Sequence, residues 1–389
     1  MRPVVRVLFV MFKDVDAVQS SGSSVRPAKM LQAFRAVGCD VVLLDGAQND
    51  LKERRKRVRR VVRRIKEGER FDLCYIEPPS GPLFCPTDLS LLKLLKTRGI
   101  PTGLFYRDAY HLFPDSHAKK SAIKEFVISK MAQRDFKIFE RSCKTVYVPT
   151  LSFGRIVGFS RIKALPPGCR PCPSSQAALS NDGATVSALY VGGISKDYGI
   201  DLLLDSFKAI NLETLRVKLT VVCPRGAWDC YVSSSDLRSQ LPAWLTVVHA
   251  SGADLDSHYA SADFGIIPRL RSSYNDICFP VKLVEYLSHG LPVVATNCTE
   301  TASFVRRWEV GIIAEDDTES LSSAIASLLT KGNIRKYFER KIETACEENS
   351  WKSRVMTVLT DLNPEKAKLL ESSISNNAEV GKLDKWGKS

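Results

Sequence analysis

Short apolar runs rich in β-branched residues alternate with longer amphipathic stretches, in two series separated by a stretch of chain breakers. In the first series Val4–Val10, Val41–Leu44, Leu73–Ile76, Thr102–Tyr106 and Thr145–Val148 read as strands. Arg26–Val37, Lys52–Lys66, Leu89–Lys96 and Lys119–Arg141 read as the helices between them. Such alternation implies a parallel sheet covered by helices on both faces. The segment beginning Pro166-Pro-Gly-Cys-Arg-Pro-Cys-Pro and running to Asn181-Asp-Gly has a linker's composition. The alternation then restarts, with strands expected at Ser187–Val191, Lys218–Val222, Leu245–His249, Phe264–Pro268 and Pro292–Thr296, and helices at Ile200–Ile210, Leu255–Ser261, Val281–His289 and Ser320–Lys331.

The fold class expected is therefore α/β, with two Rossmann-like parallel-sheet domains facing a cleft. The first spans 1–165, a linker follows at 166–184, and the second spans 185–335. Helices over 336–361 are expected to return to the first domain, and 362–389 reads as a polar, mobile tail. Ligands of open α/β sheets bind outside the carboxyl ends of the strands, so chemistry is expected in the cleft.

The length of 389 residues agrees with two domains at roughly 150 residues each. The N-terminus is basic and then apolar, but its apolar run is short, and Lys13 and Asp14 follow without a small-residue cleavage site. It reads as a buried strand, and no segment approaches the ~18–20 apolar residues that span a bilayer. Both features lead to an expected cytoplasmic location. Eleven cysteines, an odd number scattered through a long chain, argue against a disulfide framework. The close pair Cys169 and Cys172 lacks a second pair to complete a zinc site and reads as free thiols in the linker.

The net charge of +13 is unevenly placed: residues 1–170 hold 33 basic against 16 acidic side chains. The segment from Lys52 to Arg70 carries a dense basic run with Val58, Val61, Val62 and Ile65 at helical spacing. A second amphipathic stretch, Lys119 to Arg141, aligns Ile123, Val127, Met131 and Ile138. Helices of this kind dock on anionic lipid head groups, contact nucleic-acid phosphates, or serve as solvated faces. No zinc-finger spacing, aromatic RNA-binding motif or helix-turn-helix signal supports nucleic acid as a partner. An anionic membrane surface, with the protein peripheral at its inner face, stays open beside the solvated face.

The sharpest local signal is Asp263-Phe-Gly-Ile-Ile-Pro268 followed by Phe279-Pro-Val-Lys-Leu-Val-Glu-Tyr-Leu-Ser-His-Gly-Leu-Pro-Val-Val-Ala-Thr296. It spells a strand ending at Pro268, a polar loop, a helix opening near Pro280, and a strand after Gly290. The free amides of Val281 and its neighbours at that helix start offer a site for a diphosphate. Lys282 adds a positive charge in the first turn, and Glu285, about one turn on, is placed to accept hydrogen bonds from a ribose diol.

These residues resemble the GT-B glycosyltransferases, specifically the large retaining group called family 4 (glycosyl transferases group 1). The resemblance implies a nucleoside-diphosphate sugar as donor, with Glu285 on its ribose and Phe279, Pro280 and Val281 beside it. Tyr190-Val-Gly-Gly-Ile-Ser-Lys-Asp-Tyr-Gly-Ile-Asp201 resembles the group's strand and turn that approach the donor phosphates, where Gly192 and Gly193 permit close approach. Relatives place an arginine and a lysine around this turn. Here Gly193 stands in the arginine's place, Lys196 lies near the lysine's, and Arg225 at the end of the next strand is a candidate replacement. The group's two glutamates, separated by seven intervening residues, are not both present: counting back from Glu285 gives Ile277, with Asp276 one position off.

In the first half the loop from Val10 to Gly22 resembles the group's acceptor-side loop, and Gly22 would let backbone come near the transferred sugar. Phe105-Tyr-Arg-Asp-Ala-Tyr-His111 resembles a strand end where relatives show His-Asp. Asp108 matches the aspartate, Arg107 stands in the histidine's place, and His111 is a candidate for its role. No Asp-x-Asp metal pair sits at a strand end, so no metal or other cofactor is expected. Lys282, Lys196 or Arg225 and helix dipoles would meet the leaving-group charge. The expected partners are the nucleotide sugar and a sugar or lipid-linked acceptor. A sugar-nucleotide epimerase of the same fold and a non-catalytic sugar-nucleotide sensor are the alternatives.

Overall fold

A computed structural model describes residues 5–14, 22–108, 122–172, 185–233 and 241–373. The chain divides into two compact units: Met1–Pro166 together with Trp351–Ser389, and Pro167–Ser350.

The first unit holds the strands β1 (Arg6–Met11), β2 (Asp40–Leu44), β3 (Leu73–Glu77), β4 (Thr102–Phe105), β5 (Thr145–Val148) and β6 (Ile162–Ala164). Its helices before the linker are α1 (Gly22–Ala36), α2 (Leu51–Lys66), α3 (Pro86–Thr97), α4 (Ala122–Ser142) and α5 (Leu151–Val157). All strand pairs are parallel, in the order β2-β1-β3-β4-β5-β6. The direction of winding reverses between β1 and β3, which makes their carboxyl ends the switch point of this sheet. The short β6 was not anticipated: of its three residues, Lys163 and Ala164 are exposed, so it lacks the apolar run that marks a buried strand.

Local chemistry sets the helix that carries the basic run. Asp50 accepts from the Glu53 N–H at 3.0 Å and caps α2, whose Val58, Val61 and Ile65 stripe is buried. Arg54 on the same face is also buried. Its guanidinium meets Asp88 of α3 at 2.7 Å and donates to the Met11 and Asp45 carbonyls at 2.8 and 2.9 Å. A buried charge is tolerable only with partners of this kind, and these partners fix α2 to α3 and to the ends of β1 and β2.

The second unit holds β7 (Val186–Val191), β8 (Val217–Val222), β9 (Leu245–Val248), β10 (Phe264–Ile267), β11 (Val293–Thr296) and β12 (Gly311–Ala314). Its helices are α6 (Ile200–Ile210), α7 (Arg225–Ser233), α8 (Leu255–Ser261), α9 (Val281–Ser288), α10 (Thr299–Trp308), α11 (Thr318–Leu329) and α12 (Ile334–Glu348). The parallel order is β12-β11-β10-β7-β8-β9, so winding reverses between β7 and β10. That is the doubly wound order of a Rossmann sheet.

The chain then returns to the first unit through α13 (Trp351–Leu362), whose Val355, Val358, Leu359 and Leu362 join Met30, Leu31 and Phe34 of α1 in one core. The 336–361 segment thus divides, α12 belonging to the second unit and α13 to the first. The tail expected to be mobile from 362 instead begins with a helix over 364–373. Ala367 and Leu370 are buried in the core that α1 and α13 share. Only Ala367 and Leu370 face inward, with Leu369 exposed, a stripe one residue wide and too narrow to stand out from sequence. The cysteines are thiols, not disulfides; Cys169 is buried in the second unit's core and Cys172 lies against it. Among the described residues no helix is long and apolar enough to cross a membrane.

Candidate functional site

In the second unit β7 and β10 pair only through Ala188 and Leu189, and part beyond them. Tyr286 of α9 fills the gap. Its hydroxyl accepts the Val191 N–H at 2.9 Å and faces the Ile266 carbonyl at 3.4 Å. Its ring lies flat against Gly265, where an added Cβ would come within 2.4 Å of the ring. The motif tyrosine therefore holds open the carboxyl ends of the two strands where a doubly wound sheet receives its ligand.

Around that opening stand the residues singled out from sequence. Pro280 is the N-cap of α9, one position earlier than the first-turn place expected, and no side chain caps the helix. The Leu283 N–H donates to the Pro280 carbonyl at 3.1 Å, while among the described residues nothing is seen to accept from the Val281 and Lys282 amides; Val281 is exposed. Phe279 packs edge-on against Phe304 of α10, with centroids 5.2 Å apart, which holds the approach to the helix start. Lys282 Nζ lies 2.5 Å from Glu285 Oε2, and Tyr259 donates to the same oxygen at 3.2 Å. Burial and the Glu285 charge push the Tyr259 phenol well above its ordinary pKa, so it remains a donor. Tyr259 also stacks on His289, with centroids 4.1 Å apart.

On the β7 side Gly192 and Gly193 leave the strand, and Tyr190 donates to the Gly193 carbonyl at 2.6 Å. The Tyr198 ring stands over Gly193, within 3.2 Å of where a Cβ would lie. Lys196 is exposed in a short 3-10 turn, Lys196–Tyr198. Gly199 closes that turn at φ +72°, and a Cβ there would sit 1.7 Å from the Pro268 carbonyl oxygen. Sequence reading passed over Gly199; its signal was a glycine directly before a helical run, at a point where two loops cross.

Arg225, the candidate replacement for the absent arginine, is the exposed first residue of α7. Another arginine lies over the ring that covers Gly193. Arg269, two residues past β10, stacks over Tyr198 at 4.8 Å and donates to Asn275 Oδ1 at 3.4 Å. Among the described residues no carboxylate lies within ion-pair distance of it. Asn275 is buried and bridges the two loops, donating to the Asp197 and Leu270 carbonyls. Nothing in the sequence marked Arg269, because the ring that orients it is about seventy residues away. Asp276 is occupied structurally: burial acts to raise its pKa, but hydrogen bonds from Arg271 and the Thr299 N–H hold it below the ordinary carboxylate range. A polar concavity of about 650 Å³ opens beside it, bordered by Arg271, Asn297, Thr299 and Arg306.

In the first unit Gly22 is the first residue of α1. Arg26, further along α1, meets Glu77 at 3.0 Å and lies over the Phe105 ring at 3.5 Å. Arg107 meets the other Glu77 oxygen at 3.2 Å, and Tyr75 donates to Glu77 at 2.8 Å. Glu77 ends β3 and is thus clamped by two arginines at the β1–β3 switch point. Asp108 follows Arg107; burial raises its pKa, opposed by a Ser80 hydrogen bond and the Arg107 charge. His111 lies outside the described residues. Glu77 was not foreseen, since a glutamate after an apolar run reads as the end of a strand. Among the described residues no three His, Cys, Asp or Glu side chains stand together as a metal would require.

Residues 185–331 match the family model of Glycosyl transferases group 1, and this part of the chain is a domain of that family. The capsular polysaccharide biosynthesis glycosyltransferase CapM of Staphylococcus aureus is 29% identical over 160 residues, 41% of this chain and 40% of that one. The putative teichuronic acid biosynthesis glycosyltransferase TuaH of Bacillus subtilis (strain 168) is 32% identical over 102 residues, 26% of each chain. The chain thus spans well under half the length of these curated relatives. Among solved structures, HepE of Anabaena in complex with UDP superposes with a TM-score of 0.64 at 14% identity, covering 92% of this chain and all (100%) of that one. Sucrose-phosphate synthase of Thermosynechococcus elongatus gives 0.62 at 14% identity, covering 91% and 97%. The fold is GT-B-like: two parallel six-stranded sheets with flanking helices.

Proposed function

We propose that the protein is a glycosyltransferase that moves a sugar from a nucleoside-diphosphate sugar to a sugar or lipid-linked acceptor of polysaccharide biosynthesis, with retention and without a metal ion. The observation that carries this reading is the convergence at the β7–β10 switch point of a helix start with no cap from Pro280, the Lys282–Glu285 pair and a stacked arginine that meets no carboxylate among the described residues. A diphosphate at the start of α9 meets free amides, Lys282 and Arg269, with Lys196 and Arg225 on the same carboxyl edge. Glu285 then leaves Lys282 for the ribose hydroxyls while Tyr259 keeps its orientation.

As the glycosidic bond breaks, negative charge gathers on the departing diphosphate, and preorganised cations and amides stabilise it there. The acceptor is assigned to the first unit, with Asp108 and His111 as its candidate catalytic groups and Gly22 at the loop facing the sugar. The relatives' roles in capsular and teichuronic polysaccharide synthesis support this acceptor class. The location proposed is the cytoplasm, peripheral at the inner face of the membrane.

The test is thermal unfolding of wild type and Glu285→Ala with UDP, GDP, ADP, CMP and their sugar conjugates, UDP first because the HepE structure holds it. One nucleotide should raise the wild-type midpoint by a few degrees and leave the variant unmoved. Acceptor-dependent release of nucleoside diphosphate should then follow. A protein that no nucleotide stabilises would overturn the reading.

A further inference from the structure

The first unit presents one surface that the donor chemistry does not use. α2, α3 and α4 each follow a strand of a parallel sheet, so all three begin at its carboxyl edge. α2 packs on α3 and α3 on α4. The contacts are pinned by Arg54 on Asp88, and by Asp135 and Arg134 on the backbone of Leu83.

Along the starts of these three helices runs a row of exposed apolar side chains. Leu51 opens α2 and Phe84 lies two residues before α3. On α4 Ile123, Phe126 and Val127 are 78%, 63% and 50% exposed. Sequence spacing put Ile123 and Val127 on one apolar stripe with Met131 and Ile138, yet only the latter half of α4 delivers buried residues, Asp135 and Phe139. Single exposed apolar residues need no explanation, but a row across three pinned helices does.

The charge around the row selects its occupant. α2 carries ten Lys and Arg against one Glu. Val58, Val61 and Ile65 face inward, so Arg55, Arg59, Arg60 and Arg63 face solvent. On α4 Lys124 and Lys130 flank the apolar residues, Lys130 with its ammonium 5.4 Å from the Phe126 ring centre. Apolar side chains at one end of a rigid layer, beside a dense positive face, match an interface with an anionic bilayer. The former enter the acyl boundary and the latter lie among the head groups.

We propose that the starts of α2, α3 and α4 form a docking surface for anionic lipid bilayers. It rests on the peripheral location proposed above and names its contact residues. The surface lies at the carboxyl edge of the sheet, the same edge as the Glu77 switch point, so a lipid-linked acceptor in that bilayer would be presented toward the first unit's candidate site.

The experiment is co-sedimentation of the full chain with phosphatidylglycerol or phosphatidylcholine vesicles at low and high salt. Two variants accompany it: Ile123→Ser with Phe126→Ser, and Arg55→Gln with Arg59→Gln and Arg60→Gln. All these side chains are exposed, and the nucleotide-induced thermal shift of each sample, measured without lipid, reports separately on folding and on the donor site. Wild type should bind phosphatidylglycerol at least tenfold more tightly than phosphatidylcholine and lose that binding at high salt. The apolar variant should lose at least tenfold on phosphatidylglycerol, and the basic variant should lose the lipid preference. Absence of binding to phosphatidylglycerol, equal binding by wild type and both variants, or displacement by single-stranded RNA would each overturn the proposal, whatever the nucleotide response.

Discussion

The Tyr286 hydroxyl accepts the Val191 N–H at 2.9 Å, across the point where β7 and β10 cease to pair. A buried backbone N–H with no strand partner needs a side chain, and this one comes from the helix whose start is the proposed phosphate site. Tyr286→Phe keeps the ring on Gly265 but leaves the N–H unsatisfied, which costs about 1–3 kcal/mol. Urea unfolding of the second unit should show that loss, with a parallel loss of nucleotide affinity as the strand ends close. An unchanged urea midpoint would mean that water replaces the hydroxyl.

Gly199 is constrained twice, by its left-handed φ of +72° and by the Pro268 carbonyl, 1.7 Å from an added Cβ. Gly158 shares only the first constraint, with φ +85° and no atom within 4 Å of its Cβ position. Gly158→Ala should therefore cost roughly 1–2 kcal/mol from backbone conformation alone. Gly199→Ala should cost a further roughly 1–3 kcal/mol as the turn is forced from β10. Equal losses in chemical denaturation would show that the two loops separate freely.

Much of the fold was legible because strands buried on both faces leave uninterrupted apolar runs, as at Leu73–Ile76 and Phe264–Ile267. β12 escaped notice because its Gly311-Ile-Ile-Ala is only four residues long and partly exposed. The candidate donor site was legible where one helix carries it, since Lys282 and Glu285 are three residues apart and must share a face. It was not legible where tertiary contacts assemble it. Arg269 reaches its place through Tyr198 and Asn275, and Glu77 is defined by Arg26 and Arg107. Neither relation has a local spacing.

The Lys282–Glu285 pair separates stability from binding. Both side chains are about one-third exposed, at 34% and 33%, so their attraction is screened. Glu285→Gln should change apo stability by no more than about 0.5 kcal/mol. A nucleotide at about 100 times its dissociation constant should add roughly 2.7 kcal/mol to the wild type and much less to this variant. A variant that is destabilised without ligand and fully responsive with it would mark Glu285 as a structural residue instead.

His289 gives the second unit a defined acid sensitivity. Burial pushes its imidazole down to about 4, with Arg170 adding to the effect and Asp256 and Glu285 opposing it. The Arg170 guanidinium donates to Nε2, which requires the neutral ring. Unfolded, the ring titrates near 6.5, so between about pH 6.5 and 4 the unfolded chain binds the extra proton. The stabilisation is fully present above pH 6.5 and disappears as pH falls toward 4. From pH 7 to 4.5 the loss should be roughly 2–3 kcal/mol. His289→Phe, which keeps an aromatic face on Tyr259, should remove that slope, leaving only the background of the carboxylates. Urea midpoints for both proteins at half-unit pH steps decide the matter. Parallel curves would show that the native imidazole takes up its proton without cost, and the neutral stack on Tyr259 would have to be abandoned.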